Sequence, residues 1–320
     1  MTSSPRRLLA RTLRDVTSVC AKALRNPVPL TEVKADTDGA IDPASCQVIC
    51  VASGKGGTGK TVVSTNLAVS LVKKGLNVVL LDADMGLANA HLLLGTEPAH
   101  DISSVISGRR RIDEISVDCP AGVKLIAGGS GMSELAELKE WQVKRLAGEL
   151  KGCEEKADIM IIDLAAGISS QVMRFLINAH DAVIVTTPDV TAQLDAYATI
   201  KTMARAKGEF DARVVINRAR NEAEAIAAYK KLTGVVRNRL KGVRLSLLGW
   251  LPHNWYVQNS VHMRKPVVEL HPKSFVTRTF LTMADELSDS HSGWREEVSS
   301  SEPGAGPGSF SQMLERINFR

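Results

Sequence analysis

From Gln47 to about Leu287 the chain alternates short apolar runs with stretches whose apolar residues recur at helical spacing. The runs Gln47 to Ala52, Val78 to Leu81, Val123 to Ile126, Ile159 to Ile162, Ala182 to Val185, Val214 to Ile216 and Leu245 to Leu251 read as strands. After the first of them, Val63, Leu67, Val69 and Leu71 give a helical pattern over Lys60 to Lys74. Strands and helices in strict alternation predict an α/β protein, a mostly parallel doubly wound sheet covered by helices on both faces. On such sheets ligands sit at the carboxyl ends of the strands, so the residues that follow each apolar run are the first to inspect.

The ends of the chain break this pattern. Residues 1–24 form a basic segment free of acids until Asp15, with Leu8, Leu9, Leu13 and Val16 at helical spacing. Residues 25–45, with prolines and several acids, read as a linker into a domain spanning 46–288. Residues 289–308 are rich in Ser, Glu, Pro and Gly and read as a flexible linker. In the final segment, 309–320, Phe310, Met313, Leu314 and Ile317 fall at offsets of three, four and seven, the pattern of a short interfacial amphipathic helix. So short a helix is marginal in water, and an anionic membrane surface would induce it.

The first strand runs into Gly54-Lys55-Gly56-Gly57-Thr58-Gly59-Lys60-Thr61, and the helix begins where this loop ends. The pattern G-x-x-x-x-G-K-[ST] in a strand–loop–helix setting is a P-loop. Glycines let successive backbone N–H groups turn towards one anion, the lysine reaches the outer phosphates, and the hydroxyl of Thr61 ligates magnesium. The helix N-terminus adds its dipole. Position 62 is not a second threonine but Val62, which has no hydroxyl and is not assigned to the site. Two other apolar runs end in acids: the second continues into Leu81-Asp82-Ala83-Asp84, and the fourth ends at Asp163. Carboxylates two apart in an extended segment point the same way, so Asp82 and Asp84 can approach one magnesium or its water. Asp163 closes a Walker B pattern whose carboxylate meets the magnesium hydration shell.

Composition narrows the remaining classes. The formal net charge of +5 permits attraction to anionic lipid or nucleic acid without demonstrating either, and an aromatic content of 4% leaves little for base stacking. Cys20, Cys46, Cys50, Cys119 and Cys153 contain no C-x-x-C pair, which argues against an iron–sulfur carrier and suits a reducing cytoplasm. The even spacing of Cys46 and Cys50 places both on one strand face, where ordinary packing is expected. No run of eighteen or more apolar residues stands in the sequence, so no transmembrane helix is expected.

Lys55, a second lysine near the start of the loop, resembles the deviant Walker A of the MinD/ParA class of P-loop ATPases. Leu164-Ala165-Ala166-Gly167-Ile168-Ser169 after Asp163 is similar to a stretch of MinD-type proteins, with Leu164 in place of their small hydroxyl residue. Gly86-Leu87-Ala88-Asn89, Thr186-Thr187-Pro188-Asp189 and Asp195-Ala196-Tyr197 resemble the flagellar-number regulators called FlhG or FleN. Val215-Ile216-Asn217 and Leu248-Gly249-Trp250-Leu251-Pro252 resemble the elements that flank the base, with Asn254 where the family usually has an acid.

The resemblance implies Mg-ATP as ligand and slow, regulatory ATP hydrolysis. Lys55 would reach the phosphates held by the other subunit of an ATP-bound homodimer, and Asp84 would orient the attacking water. Asp82 would stand near magnesium-bound water, Asn217 would recognise adenine, and Pro252 would flank it. It further implies a regulator of flagellar number or placement that cycles between the cytoplasm and a membrane reached through the C-terminal helix. The flagellar GTPase FlhF and a flagellar transcription regulator would be partners, and no specific nucleic acid is predicted. A MinD-like division-site regulator and a ParA-like partitioning ATPase are the alternatives.

Overall fold

A computed structural model of the chain describes residues 46–84, 88–129 and 140–300. The basic segment 1–24, the linker to 45, Met85 to Leu87, and the amphipathic positions Phe310, Met313, Leu314 and Ile317 lie outside the described residues. The central strands are apolar along their whole length because both of their faces are covered. β1 (Gln47–Ala52), β2 (Val78–Ala83) and β5 (Ile159–Leu164) are buried at every position. Two short strands, β3 (Ser116–Asp118) and β4 (Lys124–Ile126), lie to one side; β6 (Asp181–Thr186), β7 (Phe210–Ala219) and β8 (Val243–Pro252) lie to the other. The order across the sheet is β3-β4-β2-β5-β1-β6-β7-β8. All pairings are parallel except β3 with β4.

Side chains of each central strand alternate between two cores. On one face Ile49 and Val51 pack with α1 (Lys60–Val72), with α2 (Ala90–Leu93) and, through Phe280 and Leu287, with a long C-terminal helix described below. On the other, Val48, Cys50 and Ala52 pack with α3 (Ile102–Ile106), α4 (Ile112–Ile115), α5 (Glu140–Glu154), α6 (Ser170–Asn178), α7 (Val190–Lys207) and α8 (Glu222–Arg239). Cys46 and Cys50 belong to this second core as packing residues; the Cys50 thiol reaches the carbonyl of Phe175 at 3.6 Å. α1 stops at Val72 rather than Lys74 because Gly75 turns left-handed (φ 88°) and the Leu76 amide closes back on the Leu71 carbonyl.

After β8 come α9 (Trp255–His262), α10 (Val267–Leu270) and α11 (Phe275–Ser300). α11 corrects the reading of 289–308 as a flexible linker, since residues 289–300 are helical. That stretch has one glycine, Gly293, and no proline before Pro303. The hydroxyls of Ser290 and Ser292 donate one turn back to the carbonyls of Glu286 and Ser288, and Arg213 of β7 donates to Ser290 Oγ at 2.6 Å. Tertiary ties therefore hold as helix what composition alone reads as loose. No apolar run marks β3: two of its three residues are polar, and it exists by pairing Val117 with Leu125 at the antiparallel edge. β7 and β8 run beyond their apolar centres because outer strands expose alternate positions such as Asp211, Arg244 and Ser246. Among the described residues no helix is long and apolar enough to cross a membrane.

Candidate active site

β1 delivers the chain to the P-loop at the carboxyl end of the sheet, where β2 and β5 also end. The loop is threaded through narrow gaps. A Cβ on Gly54 would overlap the main chain of Asp195 in α7, so only glycine lets the two backbones approach. Gly59, the N-cap of α1, is left-handed (φ 89°), and a Cβ there would overlap the side-chain amide of Asn217. With no side chain capping α1, its first amides remain available to an anion.

Lys60, 6% exposed, lies between acids. Its ammonium donates to Asp163 Oδ1 at 2.8 Å and lies 3.9 Å from Asp84 Oδ2. Asp82 and Asp163 are cross-strand neighbours in the β2–β5 register, 1% and 0% exposed. Burial first, and then the Asp163 charge, raises the Asp82 carboxyl to about 6 from 3.8. The amides of Ala90 (3.0 Å) and Asp84 (3.2 Å) and the Lys60 ammonium oppose that rise. With every group ionised, three carboxylates face one ammonium, an excess of negative charge that a divalent cation would neutralise.

The remaining polar atoms fit such an occupant. Asp163 Oδ1 accepts from Lys60 and from Ser64 Oγ at 2.9 Å, whereas its buried Oδ2 has no partner; nor has the buried hydroxyl of Thr58. Among the described residues no group of three or more His, Cys, Asp or Glu forms a cage for a metal. The partnerless Asp163 Oδ2 fits magnesium, which is held by one or two side chains, waters and substrate phosphates rather than by an all-protein cage. Ser64 escaped the sequence reading, although it stands one helical turn from Lys60 on the same face, which was the available signal.

Asn217, 5% exposed at a bulge in β7, is not a helix cap, a role filled by Asn221. Its Nδ2 donates to the Thr58 carbonyl at 2.7 Å and its Oδ1 accepts from the Arg218 amide at 2.9 Å, leaving one N–H and one lone pair. The residue expected to read the base is thus also tied to the P-loop. Pro252 pairs with Ala219 at the end of β8, close along the same strand end. Asn254 caps α9 by accepting from the Val257 amide at 3.4 Å. Leu164, 1% exposed, belongs to the core under α6 and α7, so the position of the family's hydroxyl is here a packing position.

Lys55 is not gathered with Lys60. Its ammonium donates to Thr191 Oγ1 of α7 at 3.2 Å, in solvent; burial raises the nearby Asp195 carboxyl, and the Lys55 charge opposes that rise. Thr61 opens α1 half-buried. A threonine at position 62 would place a second hydroxyl beside it, but the residue there is Val62, and its isopropyl group can ligate neither magnesium nor phosphate. Val62 is half-buried and serves α1 through its carbonyl, which accepts from Asn66 Nδ2 at 2.8 Å and from Thr65 Oγ1 at 3.2 Å. Of the hydroxyls in the first turns of α1, that of Thr65 is turned back onto the Thr61 and Val62 carbonyls and that of Ser64 donates to Asp163.

A model of the ParA family, described as an NUBPL iron-transfer P-loop NTPase, matches residues 45–288. The chain belongs to this ParA/MinD family of P-loop NTPases. Within the family it is 35% identical over 241 residues to the antiactivator FleN of Pseudomonas aeruginosa, covering 75% of this chain and 86% of that protein. It is 32% identical over 265 residues to the flagellum site-determining protein YlxH of Helicobacter pylori, covering 82% and 86%. Its fold is that of the septum site-determining protein MinD of Pyrococcus horikoshii, solved with Mg-ADP: the TM-score is 0.63 at 24% identity, over 78% of this chain and 98% of that one.

Proposed function

We propose that this ParA/MinD-family protein is a Mg-ATP-dependent dimerising ATPase that regulates the number or placement of flagella. The observation that carries the reading is the buried Lys60–Asp163–Asp82 cluster beneath a P-loop, in a chain similar to FleN and YlxH. Lys60, whose ammonium Asp163 holds, and the amides from Gly56 to Thr61 are the groups that would bind the phosphates of ATP. Thr61, Asp82 and Asp163 are the residues that would hold magnesium and its waters, and the ion would supply neutralisation of the charge on the transferring phosphoryl group. Asp84, 26% exposed, is free to orient the attacking water. Asn217 reads adenine with its spare N–H and lone pair, beside Pro252. Lys55, exposed and hydrogen-bonded to the Thr191 hydroxyl, is the group that crosses to the other subunit of an ATP-bound homodimer.

The dimer would carry two copies of the helix containing Phe310, Met313, Leu314 and Ile317 to an anionic membrane, where two weak contacts act at raised effective concentration. FlhF and a flagellar transcription regulator are the partners this reading implies. Phosphate release tests the chemistry: Asp84→Ala should retain ATP and dimerise without turnover, and normal turnover in that variant would remove Asp84 from its role. Sedimentation with anionic liposomes tests the cycle. ATP, and not ADP, should carry the full chain into the pellet, whereas a chain ending at Gly308 should stay in solution. In cells, a null strain with abnormal flagellar number supports this reading, and one with misplaced septa supports the MinD-like alternative.

A further inference from the structure

Among the described residues, most of the large apolar side chains exposed to solvent fall in one stretch: Trp255 (62% exposed), Tyr256, Val261, Met263 and Phe275. They lie on α9, on the turn that ends it, and at the start of α11. The aromatic members form a block. The Trp255 and Tyr256 rings meet at 5.6 Å, and both rest on the His271 imidazole at 5.5 and 4.9 Å. Rings already fixed against each other lose little conformational freedom when a partner packs on them.

The rim of the block is basic. Glu269 is the only acid between Glu224 and Asp285, and it is committed to Lys73 at 2.9 Å. Arg264, Lys265 and Lys273 are exposed, and none is ion-paired within the described residues. Arg264 takes a left-handed backbone (φ 51°) because it closes α9 in a Schellman turn, its amide donating to the Val261 carbonyl and that of Lys265 to the Ser260 carbonyl, which fixes the start of the basic rim. A fixed aromatic centre with methionine and arginine around it has the make-up of a protein-binding hot spot.

We propose that this face docks an acidic segment of a partner protein. Apolar side chains of that segment pack on Trp255 and Tyr256, and its carboxylates pair with Arg264, Lys265 and Lys273.

The test is fluorescence polarisation with the full chain and a labelled peptide of alternating Glu and Leu with a single Phe, against its Glu→Gln twin. The acidic peptide should bind saturably, about tenfold or more tightly than the twin, and less tightly as salt is raised. Trp255→Ala and Arg264→Glu should each weaken binding by about tenfold or more while leaving nucleotide affinity unchanged. A peptide with Lys in place of Glu should recover affinity for Arg264→Glu. Absence of saturable binding, equal binding of the twin, or binding indifferent to both substitutions overturns the proposal. So does a result in which the two substitutions spare peptide binding but abolish pelleting with phosphatidylglycerol vesicles, or abolish self-association in sedimentation velocity; the face would then serve a membrane or a second copy.

Discussion

Substituting Asp82 by Asn should make the nucleotide-free protein more resistant to unfolding as pH rises, relative to the wild type. Folding lifts this carboxyl from 3.8 to about 6, chiefly by burial and then by the Asp163 charge. Between those values the folded state binds more protons than the unfolded one. Stability therefore falls as pH rises through the window, and the whole penalty is present above it. The shift of about two units corresponds to about 3 kcal/mol, of which about 1.4 kcal/mol develops between pH 5 and 7.5. Asparagine removes the charge but supplies one acceptor oxygen where Asp82 uses two, for the Asp84 and Ala90 amides. The lost bond costs about 1–3 kcal/mol whatever the pH, so the slope carries the information and the absolute difference does not. Urea unfolding in EDTA at pH 5, 6 and 7.5 gives the difference between variant and wild type; it should rise towards high pH by about 1.4 kcal/mol. A difference that stays flat across these pH values would refute the claim that burial holds Asp82 ionised only at a cost.

Other substitutions probe the supports of the site. Asn217→Ala strips the Thr58 carbonyl of its buried partner and should lower stability by about 1–3 kcal/mol, with a loss of nucleotide affinity by isothermal titration that Asn217→Asp does not restore. Gly54→Ala drives a methyl group into the main chain of Asp195 and should destabilise by about 1–3 kcal/mol in urea, whereas Gly56→Ala, whose Cβ meets open space, should be far milder. Ser64→Ala removes one of the two donors to Asp163 Oδ1 and should weaken Mg-dependent more than Mg-independent nucleotide binding, read by competition with a fluorescent analogue. Lys60→Ala leaves Asp163 buried without its cation and should abolish nucleotide binding; because a charge is orphaned, it should also lower stability by about 3–5 kcal/mol.

Local chemistry was enough to read much of this protein from its sequence. Gly54 to Thr61 between an apolar run and a helical pattern specify a P-loop, since glycine content and spacing are properties of the segment itself. The apolar runs locate the parallel strands because a strand buried on both faces must be apolar at every position, as β1, β2 and β5 are. The acids that end β2 and β5 announce themselves by interrupting such runs. What folding alone decided depends on which segments lie side by side. The β2–β5 register sets Asp82 against Asp163 and raises the Asp82 carboxyl, although the two are far apart in the chain. The bulge of β7 brings the Asn217 amide onto Thr58, and α7 brings Asp195 against Gly54, contacts that no spacing encodes. Ser290 and Arg213 likewise hold as helix a serine-rich stretch whose composition reads as linker. Propensity and pattern act over a few residues and can be read in order, whereas burial, charge coupling and close backbone approach arise between segments and exist only once the chain has packed.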